Sequence, residues 1–203
     1  MLTPQQIREA ESGENAHHTR IHEAFLHRSD SQEAWARWKQ VCADWHASRR
    51  ATDYLWEPAN RERLRAGDPA MVEDAIVFLE IDPWFFRSGY LKERVVSDLK
   101  RAPLSPRQRE RLRHIIIEVC RGRNRREFRY YCQLAVAVWT SGFEHTIRLE
   151  AEAHDLESKG KFSYLRRYLE QHRKNIEQHA SPNGGPGTGA GSSGPQAGPP
   201  SVT

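Results

Sequence analysis

Two hundred and three residues with a net charge of +4 leave room for one domain and a tail. No stretch approaches the roughly 18 consecutive apolar residues of a membrane span, and Met1-Leu2-Thr3-Pro4-Gln5-Gln6 lacks the basic and apolar regions of a signal peptide. The expected setting is therefore cytoplasmic, with no membrane partner. A mean hydropathy of −0.81 with 29% charged residues would suit a disordered chain, yet six Trp and apolar stripes at helical spacing argue for thin, stacked helices instead. Cys42, Cys120 and Cys132 are odd in number and lack Cys-x-x-Cys spacing, so they read as reduced core thiols.

Thr3-Pro4-Gln5-Gln6 predicts a capped first helix, interrupted at Gly13 and resuming to about Arg28. Ser31 opens a helix whose stripe Trp35, Trp38, Val41, Cys42 and Trp45 predicts a heavy contribution to the core. Pro58 starts a short helix ending by Gly67. Asp68-Pro69 opens the next, with Val72, Ala75, Ile76 and Leu79 facing inward, and Asp82-Pro83 ends it. The aromatic corner Trp84-Phe85-Phe86, with Tyr90, reads as a seal between stacked helices more readily than as an exposed patch. Ser88 starts a helix carrying Leu91, Val95 and Leu99, which Ala102-Pro103 stops.

Ser105-Pro106-Arg107-Gln108 is a capping box leading to Leu112, Ile115, Ile116, Val119 and Cys120, closed by Gly122. Asn124-Arg125-Arg126-Glu127 reads as a second box leading to Phe128, Tyr131, Cys132, Ala135 and Val138. Gly142 begins a helix to about Leu156, and Phe162, Leu165, Leu169 and Ile176 mark the last one. Nothing alternates as a strand would. Positions 181–203 hold seven Gly, five Pro and no charge, and are expected to remain a flexible coil.

The punctuation repeats. Asp68-Pro69 and Ser105-Pro106 stand 37 positions apart, and Ser88 and Asn124 stand 36 apart. A period in this range marks helical solenoids, in which neighbouring pairs must stack to bury their apolar sides. With Asp68-Pro69 and Ser105-Pro106 opening first helices and Arg125-Arg126 opening a second, residues 31–178 resemble HEAT-like α-helical repeat proteins. The resemblance implies an all-α fold: a short right-handed α-solenoid of about four stacked antiparallel helix pairs. It also implies a curved surface for binding macromolecules, and it transfers no catalytic residue. The expected organisation is an N-terminal helical segment (1–30), the repeat domain (31–178) and the tail (179–203).

Candidate binding residues concentrate in one stretch. Arg121, Arg123, Arg125, Arg126 and Arg129 fall within nine positions, and Arg107, Arg109, Arg111 and Arg113 precede them. Against Glu110, Glu118 and Glu127 this is a local excess of +6. Arg125 and Arg126 are expected in the first turn of a helix, where the dipole disfavours cations, and residues that break a local rule are enriched at functional sites. Arg107, Arg111, Arg121, Arg123, Arg125, Arg126 and Arg129 are thus the candidate surface for an acidic protein or peptide. The alternative partner is a DNA or RNA backbone, and the competing structural role is pairing with acids of neighbouring helices such as Glu118 or Asp98. His17, His18, His22 and His27 invite a metal reading, but Glu14-Asn15-Ala16-His17 lacks the second Glu-x-x-His that such sites need. No metal, cofactor or catalytic set is expected.

Overall fold

The computed structural model describes residues 1–48, 50–153 and 156–172, the side chains of 153 and 156–158 excepted. Among them are nine α-helices, one short 3-10 helix and no strand. The helices are α1 (Pro4–Leu26), α2 (Gln32–Ala47), α3 (Pro58–Ala66), α4 (Pro69–Ile81), α5 (Ser88–Leu99), α6 (Pro106–Arg121), α7 (Phe128–Ala137), α8 (Ser141–Ala153) and α9 (Leu156–Gln171). The 3-10 turn is Asp53–Trp56. No described helix is long and apolar enough to cross a membrane. The tail expectation, and the extension of the last helix to Ile176, lie outside the described residues.

Most start and stop signals act as read. Thr3 and Ser105 each form a full capping box with the Gln three residues on. Asp68 accepts from the backbone of Ala70 and Met71, and Ser31 from Ala34. Gly67 ends α3 at φ 83°, where an added Cβ would lie 2.4 Å from Pro103 Cγ, so glycine is required twice over.

Three local expectations fail. Gly13 does not interrupt α1, which runs unbroken through it with nothing near enough to crowd a side chain. Asn124-Arg125-Arg126-Glu127 is no capping box: α7 begins at Phe128, and its N-cap Glu127 makes no side-chain cap bond. The Trp stripe of α2 does not enter the core either. No residue of α2 is buried, and Trp35 is 46% exposed. The reason is tertiary: α2 packs chiefly on α1, not on the α3 that follows it. Its stripe therefore faces one helix, where core helices face several.

The core runs continuously from Leu2 and Ile7 through Val72, Ile76 and Phe78 of α4, Leu91 and Leu99 of α5, and Leu112 and Ile116 of α6. It continues into Cys132 and Ala135 of α7, Ile147 of α8 and Leu165 of α9. Phe128 is only partly buried against it. Helices α3, α5, α7 and α9 touch in that series, α4 packs on α6, and α8 lies on α9. The N-terminal end of α1 adds to this body through α4.

Candidate functional site

The site grows from the α4–α5 loop. Asp82 and Arg87 are the two non-glycine residues with positive φ among the described residues, at 50° and 67°. They bracket Pro83-Trp84-Phe85-Phe86. Left-handed backbone costs a side-chain-bearing residue on the order of 1–3 kcal/mol and persists where the surroundings enforce it. Helix α1 pins the loop between them: Glu11 accepts from Trp84 N at 2.6 Å, and Asn15 Nδ2 donates to Trp84 O at 3.0 Å. The result corrects the expected aromatic seal. Trp84, Phe86 and Tyr90 stand 50%, 51% and 47% exposed.

The α6–α7 loop lies against this corner. The Arg123 guanidinium stacks 3.5 Å from the centre of the Trp84 ring, and that of Arg126 lies 3.7 Å from the centre of Tyr90. Arg126 Nε also lies 3.0 Å from Glu93 of α5. Hydrogen bonding to Tyr90 raises the Arg126 pKa above its ordinary value, so this exposed cation is firmly charged. On the opposite flank, the rings of His18 and Trp45 approach Phe86 at 5.3 and 6.1 Å. Between them lies a groove of about 520 Å³ lined by Trp84, Phe86, Tyr90, Asn124 and Arg126, with Arg87 at its edge.

Beneath the corner a buried charge cluster ties the two loops together. Asp82 Oδ1 accepts from Lys92 Nζ at 2.5 Å and from Arg125 Nη1 at 2.8 Å, and the Lys92 side chain has no exposed surface. Burial pushes the Asp82 carboxyl up, but the Arg125 hydrogen bond and the Lys92 charge outweigh it and hold its pKa below the ordinary value. For Lys92 burial wins, and its pKa falls. Arg125 Nε, Glu127 Oε1 and the Tyr131 hydroxyl are buried in the same neighbourhood and have no hydrogen-bond partner among the described residues.

The structure divides the predicted arginines sharply. Arg111 of α6 grips Glu73 and Glu80 of α4, with bonds of 2.6 to 2.8 Å. Arg121 binds Glu150 of α8 and Glu118. Arg113 pairs with Glu110 and donates to Val138 O, while Arg109 donates to the carbonyls of Leu104 and Ala137. Arg125 is buried on Asp82. These five residues tie helices and loops together, and the +6 excess does not form a continuous basic stripe. Arg107 and Arg129 are exposed, with no ion pair among the described residues; like Arg123 they do not line the groove, but Arg123 stacks on its Trp84 wall. Arg123 and Arg126 come together at the aromatic corner. Because α7 starts at Phe128, neither Arg125 nor Arg126 occupies its first turn, and the dipole argument that singled them out does not apply.

Sequence reasoning missed Asp82, Arg87 and Lys92. Lys92 carried a legible signal, since it falls on the same helical stripe as Ser88, Val95, Val96 and Leu99, all buried. Arg87 carried none, because arginine is not a residue type that marks a left-handed position. Among the described residues no three His, Cys, Asp or Glu side chains are placed to hold a metal ion; His17 lies beside Arg20, and His18 faces Phe86. Comparison of the chain with family models, with curated proteins and with solved structures finds no match.

Proposed function

We propose that this chain is a non-enzymatic helical-repeat interaction module that binds an acidic protein or peptide through the Arg123/Arg126 corner. One observation carries the reading: two guanidinium groups stacked on half-exposed aromatic rings, Arg123 on Trp84 of the strained α4–α5 loop and Arg126 on Tyr90 in the first turn of α5. Strain that the surroundings must maintain is commonly kept at binding sites. Stacked arginine presents its remaining N–H groups to carboxylates while the rings supply apolar contact, the composition typical of interaction hot spots. In this reading the helices form a short right-handed solenoid. Support comes from the serial packing of α3, α5, α7 and α9 beside α4 on α6.

The same stacked pairs favour a second reading, single-stranded nucleic acid, since bases stack on exposed aromatics. Against it, Arg111, Arg113, Arg121 and Arg125 are neutralised by acids, so few cations remain to track a phosphate backbone. The test is fluorescence anisotropy. One set of probes is peptides selected on the protein from a random displayed library, and the other is a labelled oligothymidylate. Selected peptides should be rich in Asp and Glu next to aromatic or aliphatic residues, and Arg123→Glu with Arg126→Glu should abolish their binding while the circular dichroism stays unchanged. Tight oligothymidylate binding with a steep salt dependence, and no acidic enrichment, would replace the peptide reading with the nucleic-acid one.

A further inference from the structure

Arg87 breaks three local rules at one position. It is the N-cap of α5, yet its side chain makes no capping bond, where Ser, Thr, Asp, Asn or Gly is favoured. It sets a cation at the positive end of the helix dipole. It also holds φ at 67°, a conformation strained for any residue that carries a Cβ. Glycine would suit this backbone better, and residues that defy their local structure are enriched at functional sites.

The side chain is placed where a ligand would meet it. A second groove, of about 690 Å³, lies beside the one described above, and Phe85, Phe86 and Arg87 line both. Arg87 is exposed and has no ion pair among the described residues. The acids that line the two grooves are engaged elsewhere: Glu14 and Asp53 with Arg50, Glu57 with Asn60, and Glu127 inside the fold, 3.9 Å from Arg125 Nη1. The other cations at the corner are held too, Arg126 by Tyr90 and Glu93 and Arg123 by the Trp84 ring. Arg87 differs from them in that neither a ring nor an acid among the described residues takes up its guanidinium.

We infer that Arg87 is the anion anchor of the corner: its guanidinium takes the carboxylate of a partner residue that neighbours an apolar side chain seated on Phe86. This rests on the peptide reading above and adds the residue that sets its preference for acid. A guanidinium offers a carboxylate two parallel N–H bonds in one plane, a geometry that an ammonium group does not reproduce. The strained backbone at position 87 is then retained for the ligand and not for the fold.

Two fluorescein-labelled peptides test it by anisotropy, Gly-Asp-Glu-Trp-Leu-Asp-Glu-Gly and its uncharged counterpart with Asn for Asp and Gln for Glu. The native protein should bind the acidic peptide at least tenfold tighter than the amide one. Arg87→Gly should weaken the acidic peptide about tenfold and leave the amide peptide unmoved. Its Tm should rise or stay level, because relief of the left-handed strain is offset in part by the freedom that glycine adds to the unfolded chain. Arg87→Lys keeps the charge without the planar fork and should lose about threefold. A structural role for Arg87 predicts the opposite pairing, in which Tm falls by several degrees and both peptides weaken together. That result, or acidic binding that neither variant moves, overturns the anchor and leaves the acidic-peptide reading standing on Arg123 and Arg126. Equal binding of the two peptides by the native protein, or no binding of either, overturns both readings.

Discussion

Asp82→Asn is the most decisive single change. Asp82 has a left-handed backbone, which Asn tolerates as well as Asp does, so the substitution removes the charge and keeps the turn. What remains is Lys92 without exposed surface and Arg125 with a 5% exposed side chain, both facing a neutral amide, with Glu127, 3.9 Å from Arg125 Nη1, as the remaining buried acid. Removing one partner of a buried ion pair costs about 3–5 kcal/mol. Asp82 itself is one-third exposed and water tempers the loss, so the lower end, about 3 kcal/mol, is expected. For a chain of this size that lowers Tm by about 6–12 °C, measured calorimetrically at pH 7. The pH dependence carries the sign. The folded pKa of Asp82 lies below its unfolded value of about 3.9, so its contribution is full above that value and disappears as pH falls through the folded one. The gap between the native protein and Asp82→Asn should therefore close in strong acid. Adding Lys92→Met to Asp82→Asn should recover at least half of the loss, since the stranded ammonium is then gone. A loss below about 1 kcal/mol at pH 7, or no recovery in the double variant, would show that the cluster does not hold the loops.

Ile116→Ala, at a fully buried position of α6, should cost about 2–5 kcal/mol by cavity formation, read from urea unfolding with an unchanged m value. Gly67→Ala must place a Cβ against Pro103 at positive φ and should lower stability by more than about 1 kcal/mol, whereas Gly13→Ala, in open space within α1, should raise it by about 0.5–1 kcal/mol. Burial pushes the thiol pKa of Cys132 up to about 12 and raises that of Cys120 as well, while Cys42 is partly accessible. A thiol reagent at pH 8 should therefore titrate one cysteine quickly in the native protein and all three in denaturant.

Helix existence, most helix ends and the core of α4 to α7 were legible along the chain because their causes are local. A hydroxyl or carboxylate caps the backbone three residues on, proline forbids continuation, and a 3.6-residue stripe buries one face, as at Ser105-Pro106 and in Leu112, Ile116, Cys132 and Ala135. The fate of each arginine was not legible. Whether a guanidinium binds a ligand or a neighbour depends on which acid lies beside it, and Glu73 and Glu80 reach Arg111 from 38 and 31 positions away in the chain. The same limit applies to the aromatic residues. A Trp at helical spacing is buried only if several helices surround it, so the stripe of α2, packed chiefly on α1, stayed half open. Trp84 and Phe86, in a loop pinned by Glu11 and Asn15 of α1, were turned outward. Local chemistry determined where the helices begin and end; tertiary contacts decided which of their charged and aromatic side chains were left exposed.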